Sequence, residues 1–129
     1  MKWIPILMAL LLLSGCAAQV QKEQSYRQIN MDEAIAMMEA ESDYIILDVR
    51  TPEEFSEKHI PGAINIANET IGSEEIPELP DKDQLILVYC RSGNRSKQAS
   101  EKLVALGYTN IIEFGGINDW PGEVVSVTE

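Results

Sequence analysis

Leu85-Ile86-Leu87-Val88-Tyr89-Cys90-Arg91-Ser92-Gly93-Asn94-Arg95-Ser96 is the stretch on which the fold turns. It opens as a continuous apolar run, the pattern of a strand buried on both faces. At Cys90 the chain becomes polar, cationic and glycine-containing. From Ser96 a helix is predicted to Leu106, with Ala99, Leu103 and Leu106 on one face and Gly107 as its terminator. The local reading is strand, short loop, helix, with a thiol where strand meets loop.

Working outward, the same alternation repeats. Tyr26 to Ile29 is a short strand candidate. Asn30 and Glu33 form a capping-box pattern ahead of Met31, Ala34, Ile35 and Met38 at helical spacing, a stripe read as core packing. Tyr44 to Val49 is a second continuous apolar strand. Thr51-Pro52-Glu53-Glu54 reads as N-cap, N1 proline and capping-box acid of a short helix. Pro61-Gly62 marks a turn and Ala63 to Ala67 a short strand. Residues 68–81 form an acidic loop with one turn of helix at most, and its acids read as a solvated face rather than a metal site. Asn110 to Phe114 is the last strand, followed by Gly115-Gly116 and a turn to Trp120-Pro121. Strands alternating with helices predict an α/β domain with a mainly parallel sheet. Ligands of such sheets lie outside the carboxyl ends of the strands. Asp48-Val49-Arg50 and Cys90 both fall there, so one shared site is expected.

The N-terminus has a different character. Lys2 precedes an uncharged run from Trp3 to Leu13, and Leu13-Ser14-Gly15-Cys16 follows. The run is shorter than the ~20 apolar residues of a membrane span and suits a secretory signal. Leu-Ser-Gly-Cys resembles a bacterial lipobox. That resemblance implies a signal peptide over 1–15, lipidation of Cys16 with diacyl and N-acyl (palmitate-type) chains, and an extracytoplasmic, membrane-anchored lipoprotein. Two or more acyl chains suffice for stable anchoring. Ala17 is not the aspartate of inner-membrane retention. The expected place is the periplasmic side of the outer membrane in a Gram-negative cell, or the cell membrane in a Gram-positive one. Residues 16–25 would be the lipidated N-terminus and a polar tether, and 26–129 the globular domain. Without Lys2, nine basic side chains stand against 21 acidic ones, a net charge of −12. Such a body repels nucleic acid and anionic lipid, so membrane attachment falls to the lipid alone.

Cys90 is the only cysteine of the mature domain besides Cys16, so it has no disulfide partner within it. Cations and a helix N-terminus favour a reactive thiolate over an inert buried thiol. Gly93 permits close backbone approach, and N–H groups of a tight loop entering a helix converge on anions. Arg91 and Arg95 add charge, and Ser92 and Ser96 add hydroxyls. No second cysteine or metal-ligand spacing accompanies the loop, so neither a metal nor a cofactor is expected. His59, the only histidine, sits in His-Ile-Pro-Gly and reads as a turn-fixing hydrogen bond. Asp48 and Arg50 read as support, with Arg50 expected to pair with Glu53 or Glu54. Trp120 reads as a core or lid aromatic.

Four pieces in order now resemble the single-domain rhodanese (sulfurtransferase) family: Leu47-Asp48-Val49-Arg50 with Glu53, Glu54 and Phe55; His59-Ile60-Pro61-Gly62-Ala63; Tyr89-Cys90-Arg91-Ser92-Gly93-Asn94-Arg95-Ser96; and Gly115-Gly116 with Trp120. Lys58 stands where the family usually has glycine. The resemblance implies a three-layer α/β fold, with about five mainly parallel strands and helices on both faces. It also implies ping-pong transfer of sulfane sulfur from thiosulfate or a similar anionic donor. Cys90 would be the nucleophile and persulfide carrier. Arg91, Ser92, Gly93, Asn94, Arg95 and Ser96 would be the substrate-binding loop, and cyanide, a thiol or a protein cysteine the acceptor. Two alternatives stand beside it: a persulfide carrier or binding module that works with a protein partner, and phosphate or arsenate chemistry. Related phosphatases and arsenate reductases place arginine six residues after the cysteine. Here that residue is Ser96, and the shorter loop suits sulfur better.

Overall fold

The computed structural model describes residues 25–127. The expected leader over 1–15, the lipidation site Cys16 and the tether as far as residue 24 lie outside the described residues.

Five strands form one parallel sheet in the order β1-β5-β4-β2-β3. They are β1 (Arg27–Gln28), β2 (Tyr44–Asp48), β3 (Ile64–Asn65), β4 (Leu85–Cys90) and β5 (Ile111–Gly116). The helices are α1 (Met31–Ala40), α2 (Pro52–Glu57) and α3 (Asn94–Ala105). Short 3₁₀ turns cover Asn68–Thr70 and Ile117–Asp119. Among the described residues, no helix is long and apolar enough to cross a membrane.

The two apolar runs become the two central strands because both faces of each are covered. Ile86, Val88 and Cys90 pack with Leu47, Val49, Ala99 and Leu103 on the α3 face. The alternate residues Leu87 and Tyr89 pack with Ile46, Ala34, Ile112 and Phe114 on the α1 face. The period of two along a strand thus divides one apolar run between two cores. The rhodanese-type three-layer α/β arrangement is therefore present.

Local signals set the helix ends. Asn30 and Thr51 each cap their helix in a closed capping box with Glu33 and Glu54, and Pro52 takes N1. α3 starts two residues earlier than predicted, because Gly93 adopts φ 105° and turns the chain straight out of the loop into the helix. Asn94, Arg95 and Ser96 thereby become its first turn. At its other end the Gly107 and Tyr108 N–H groups return to the Val104 and Leu103 carbonyls, with Gly107 at φ 99°. That pattern is a Schellman closure.

Candidate active site

The ends of β2 and β4 lie side by side, with Asp48 opposite Tyr89 in register. Beyond β4 the loop wraps its own nucleophile. Cys90 is 1% exposed. Its Sγ receives the Gly93 N–H at 3.0 Å and lies 3.3 Å from Ser96 Oγ. Gly93, in the left-handed region, aims that N–H back at the sulfur. The loop is closed from behind by β5. There the register slips by one residue between Val88 and Cys90, which brings Gly116 opposite Cys90. Gly115 takes φ 101° in this bulge, and Gly116 presses against the Arg91 carbonyl so closely that a Cβ there would overlap it.

Ser96 sits inward on the first turn of α3. Its hydroxyl is 2.7 Å from Glu113 Oε1, 3.0 Å from the Gly93 carbonyl and 3.4 Å from the Gly115 carbonyl. Glu113 lies on β5, 3% exposed, and also accepts the Gly115 N–H at 2.8 Å. Sequence reasoning misses this residue. The available signal is a single acid inside the apolar run Ile111-Ile112-Glu113-Phe114.

Arg91 is exposed at the mouth of the loop and borders a cleft of about 250 Å³ with Arg50, Glu54, Glu57, Lys58, Ile117 and Asn118. Arg95 turns instead to Glu54 and forms a two-pronged ion pair at 2.6 and 2.9 Å. The Arg95 hydrogen bonds hold the Glu54 carboxyl well below its usual range, at about 2. Arg95 is therefore a clamp between α3 and α2 as well as a loop cation. Ser92 and Asn94 are the remaining members of the predicted binding loop, Asn94 being the first residue of α3. Larger clefts, such as one of about 460 Å³ along Gly72–Glu78, lie away from the thiol.

Asp48 and Arg50 meet each other, which corrects the expected pairing of Arg50 with Glu53 or Glu54. Arg50 Nη2 is 2.7 Å from Asp48 Oδ2, and the Arg50 N–H and Nε also bond this carboxylate. The reason is geometric: residues two apart in extended chain share a face. Burial opposes the Arg50 charge, but the Asp48 carboxylate outweighs it and raises the guanidinium's pKa. Arg50 also donates to the Lys58 carbonyl at 2.6 Å. Lys58 itself is extended, φ −165°, so the turn accepts a residue other than glycine. Behind the pair, burial and then Asp48 push the Tyr89 phenol well above its usual value, and the Tyr89 hydroxyl accepts the Ile60 N–H at 3.1 Å.

His59 is 8% exposed, stacks on Phe55 at 3.8 Å, and places Nδ1 2.8 Å from the Phe55 carbonyl. Its backbone pairs with Val125. Trp120 leans on Phe114, with ring centroids 6.5 Å apart, and donates its indole N–H to the Glu123 carbonyl.

A buried cysteine at a strand end, an N–H on its sulfur and a glycine-led helix all fall within residues 30–123, which match the rhodanese-like domain family. The chain belongs to the rhodanese family. Thiosulfate sulfurtransferase PspE of Escherichia coli K12 is 40% identical over 73 residues, covering 57% of this chain and 70% of that protein. Thiosulfate sulfurtransferase GlpE of Coxiella burnetii is 31% identical over 96 residues, covering 74% of this chain and 87% of that one. A solved Escherichia coli rhodanese with anions superposes with a TM-score of 0.59 at 36% identity, covering 64% of this chain and 98% of that one. Together these relatives support rhodanese-type sulfurtransferase activity for the domain.

Proposed function

We propose that this rhodanese domain moves the sulfane sulfur of thiosulfate, or of a similar anionic donor, to a nucleophilic acceptor through a persulfide on Cys90. One observation carries the reading: the Gly93 N–H points at Cys90 Sγ from 3.0 Å. A fixed N–H dipole beside the sulfur favours the forms that carry negative charge, thiolate and persulfide anion. Cys90 Sγ attacks the outer sulfur of thiosulfate. A new S–S bond forms, the donor's S–S bond breaks, and its electron pair leaves on sulfite. An acceptor (cyanide, a small thiol or a protein cysteine) then attacks the terminal sulfur, and the pair of the breaking bond returns to Cys90. Arg91 at the mouth draws the anionic donor toward an otherwise acidic body. Asp48 and Arg50 support the loop from the neighbouring strand end.

The domain works, on this reading, as a lipoprotein tethered through Cys16 on the extracytoplasmic side of a membrane. The leader pattern of residues 1–16 supports this, and acyl labelling lost in Cys16→Ser tests it.

Intact mass after thiosulfate treatment tests the chemistry. The wild type gains one sulfur atom, and Cys90→Ser gains none. An unchanged wild-type mass would overturn thiosulfate as donor. Sulfur transfer seen with a protein thiol but not with cyanide or small thiols would favour a carrier that acts with a protein partner.

A further inference from the structure

Glu113 is a charged side chain on the interior strand β5, 3% exposed, and no ion pair among the described residues includes it. An acid is costly in such a place unless its hydrogen bonds compensate. What it touches is Ser96 Oγ, and what Ser96 Oγ touches is Cys90 Sγ. Ser96 has one hydroxyl proton and three acceptors within reach. The Glu113 carboxylate is the shortest of them at 2.7 Å and the one able to carry full charge, so it takes that proton. The Ser96 oxygen is left to accept from the thiol at 3.3 Å. The hydrogen bonds therefore run in one direction, from the Cys90 S–H to the Ser96 O–H to the Glu113 carboxylate.

We propose that Glu113 is a positioning residue that accepts the Cys90 proton through Ser96. In the step, the Cys90 S–H bond breaks and its proton moves to Ser96 Oγ. The original Ser96 proton moves to Glu113 Oε1. No net charge is created, because one negative charge passes from carboxylate to sulfur. The thiolate then holds two donors, the Gly93 N–H and the Ser96 O–H. Its lone pair forms the bond to the donor sulfur, and the proton returns when the acceptor removes the persulfide. The titratable group facing Glu113 through Ser96 is Cys90 on β4. β1 offers the neutral Gln28 beside it in register. Of the loop cations, Arg91 is exposed and Arg95 is paired with Glu54. The inference rests on Cys90 being the nucleophile, as proposed above, and not on which donor it uses.

A proton shared by two groups leaves a distinct mark on a pH profile. The test is Cys90 alkylation by iodoacetamide in the full chain, followed by mass on the peptide that holds Cys90, as pH is lowered. An isolated thiol loses rate about tenfold per pH unit below its titration, because only the thiolate reacts. With the relay, wild-type rates level off into a plateau at low pH, since the pair keeps one proton whichever residue holds it. Glu113→Gln removes both the acceptor and the charge that opposes the thiolate, so its rate shows no plateau: it falls about tenfold per unit, starting above wild type at the neutral end of the plateau and meeting it at the acid end. Ser96→Ala severs the chain with Glu113 in place. It also takes the hydroxyl donor from the thiolate, so its rate loses the plateau and lies below wild type, and it decides the matter if Glu113→Gln folds poorly. A wild-type profile without a plateau, or a plateau that survives both substitutions, overturns the relay. Sulfur loading from thiosulfate is read separately. A lost relay with intact loading overturns this inference alone, and a plateau without loading overturns only the donor assignment.

Discussion

Two neighbouring strand ends use the same kinds of residue to opposite effect. At the end of β2 a cation and an anion, Arg50 and Asp48, are folded onto each other at 2.7 Å and buried to 3% and 0% exposure. At the end of β4 the cations stay at the periphery, Arg91 exposed and Arg95 clamped to Glu54, while a backbone N–H and a hydroxyl address the sulfur. The first end has satisfied its charges internally and is scaffold. The second has left a nucleophile with donors and acceptors that can change partners, which is what a reacting atom needs. Charge in a sequence marks neither role. The role depends on whether the charge finds its counterpart within the protein.

The comparison predicts opposite splits between activity and stability. Cys90→Ser should abolish sulfur transfer while shifting the denaturant midpoint by no more than about 1 kcal/mol in stability. Asp48→Ala should do the reverse: Arg50 is left buried and unpaired, at a cost of about 3–5 kcal/mol in urea unfolding. Should Asp48→Ala instead retain its stability and lose only turnover, the two ends would be one catalytic unit. Gly116→Ala comes next. Its new methyl meets the Arg91 carbonyl and Ser92 N, both backbone, so the active loop itself must shift. We expect a loss of about 1–3 kcal/mol together with slower sulfur loading.

The Glu54–Arg95 clamp gives a pH signature. The Glu54 carboxyl titrates at about 2 in the folded chain, against 4.5 for an unperturbed glutamate. Because its folded pKa is depressed, the stability it contributes is fully present above about pH 4.5 and is lost as pH falls toward about 2. Between pH 6 and pH 3 the wild type should lose about 1–2 kcal/mol more than Glu54→Gln, a figure reduced for partial solvent exposure. Parallel acid limbs in urea titrations would show that the clamp contributes nothing. The smallest effect belongs to Arg91→Ala. As an exposed cation it should raise the KM for thiosulfate only about 2–5-fold at low salt, and less as salt is added. A salt-independent defect would place Arg91 in direct contact with the donor instead.

The fold is largely legible in the sequence because its signals are local. The apolar runs at 44–49 and 85–89, the capping boxes of Asn30 and Thr51, and the stop at Gly107 act within a few residues of where they stand. The early start of α3 is not legible, because Gly93 reads as loop flexibility rather than as the turn that launches the helix. Arg50 reads forward along the chain, toward Glu53 and Glu54, although its partner lies two residues back on the same strand face. Glu113 escapes because an acid within an apolar strand announces only that something must meet it, not what.

The sequence by itself determined the layers, the order of elements, the position of the thiol at a strand end and the family to which these belong, since periodicity and short motifs carry that information. Only the tertiary structure decided which charges are used up and which remain. Arg95 meets Glu54 across 41 residues, and Ser96 meets Glu113 across 17. The first exists only once β2 and β4 are paired, and the second only once β4 and β5 are paired around the bulge at Gly115. Hydrogen bonding is a matter of a few tenths of an ångström, and that precision belongs to the packed sheet.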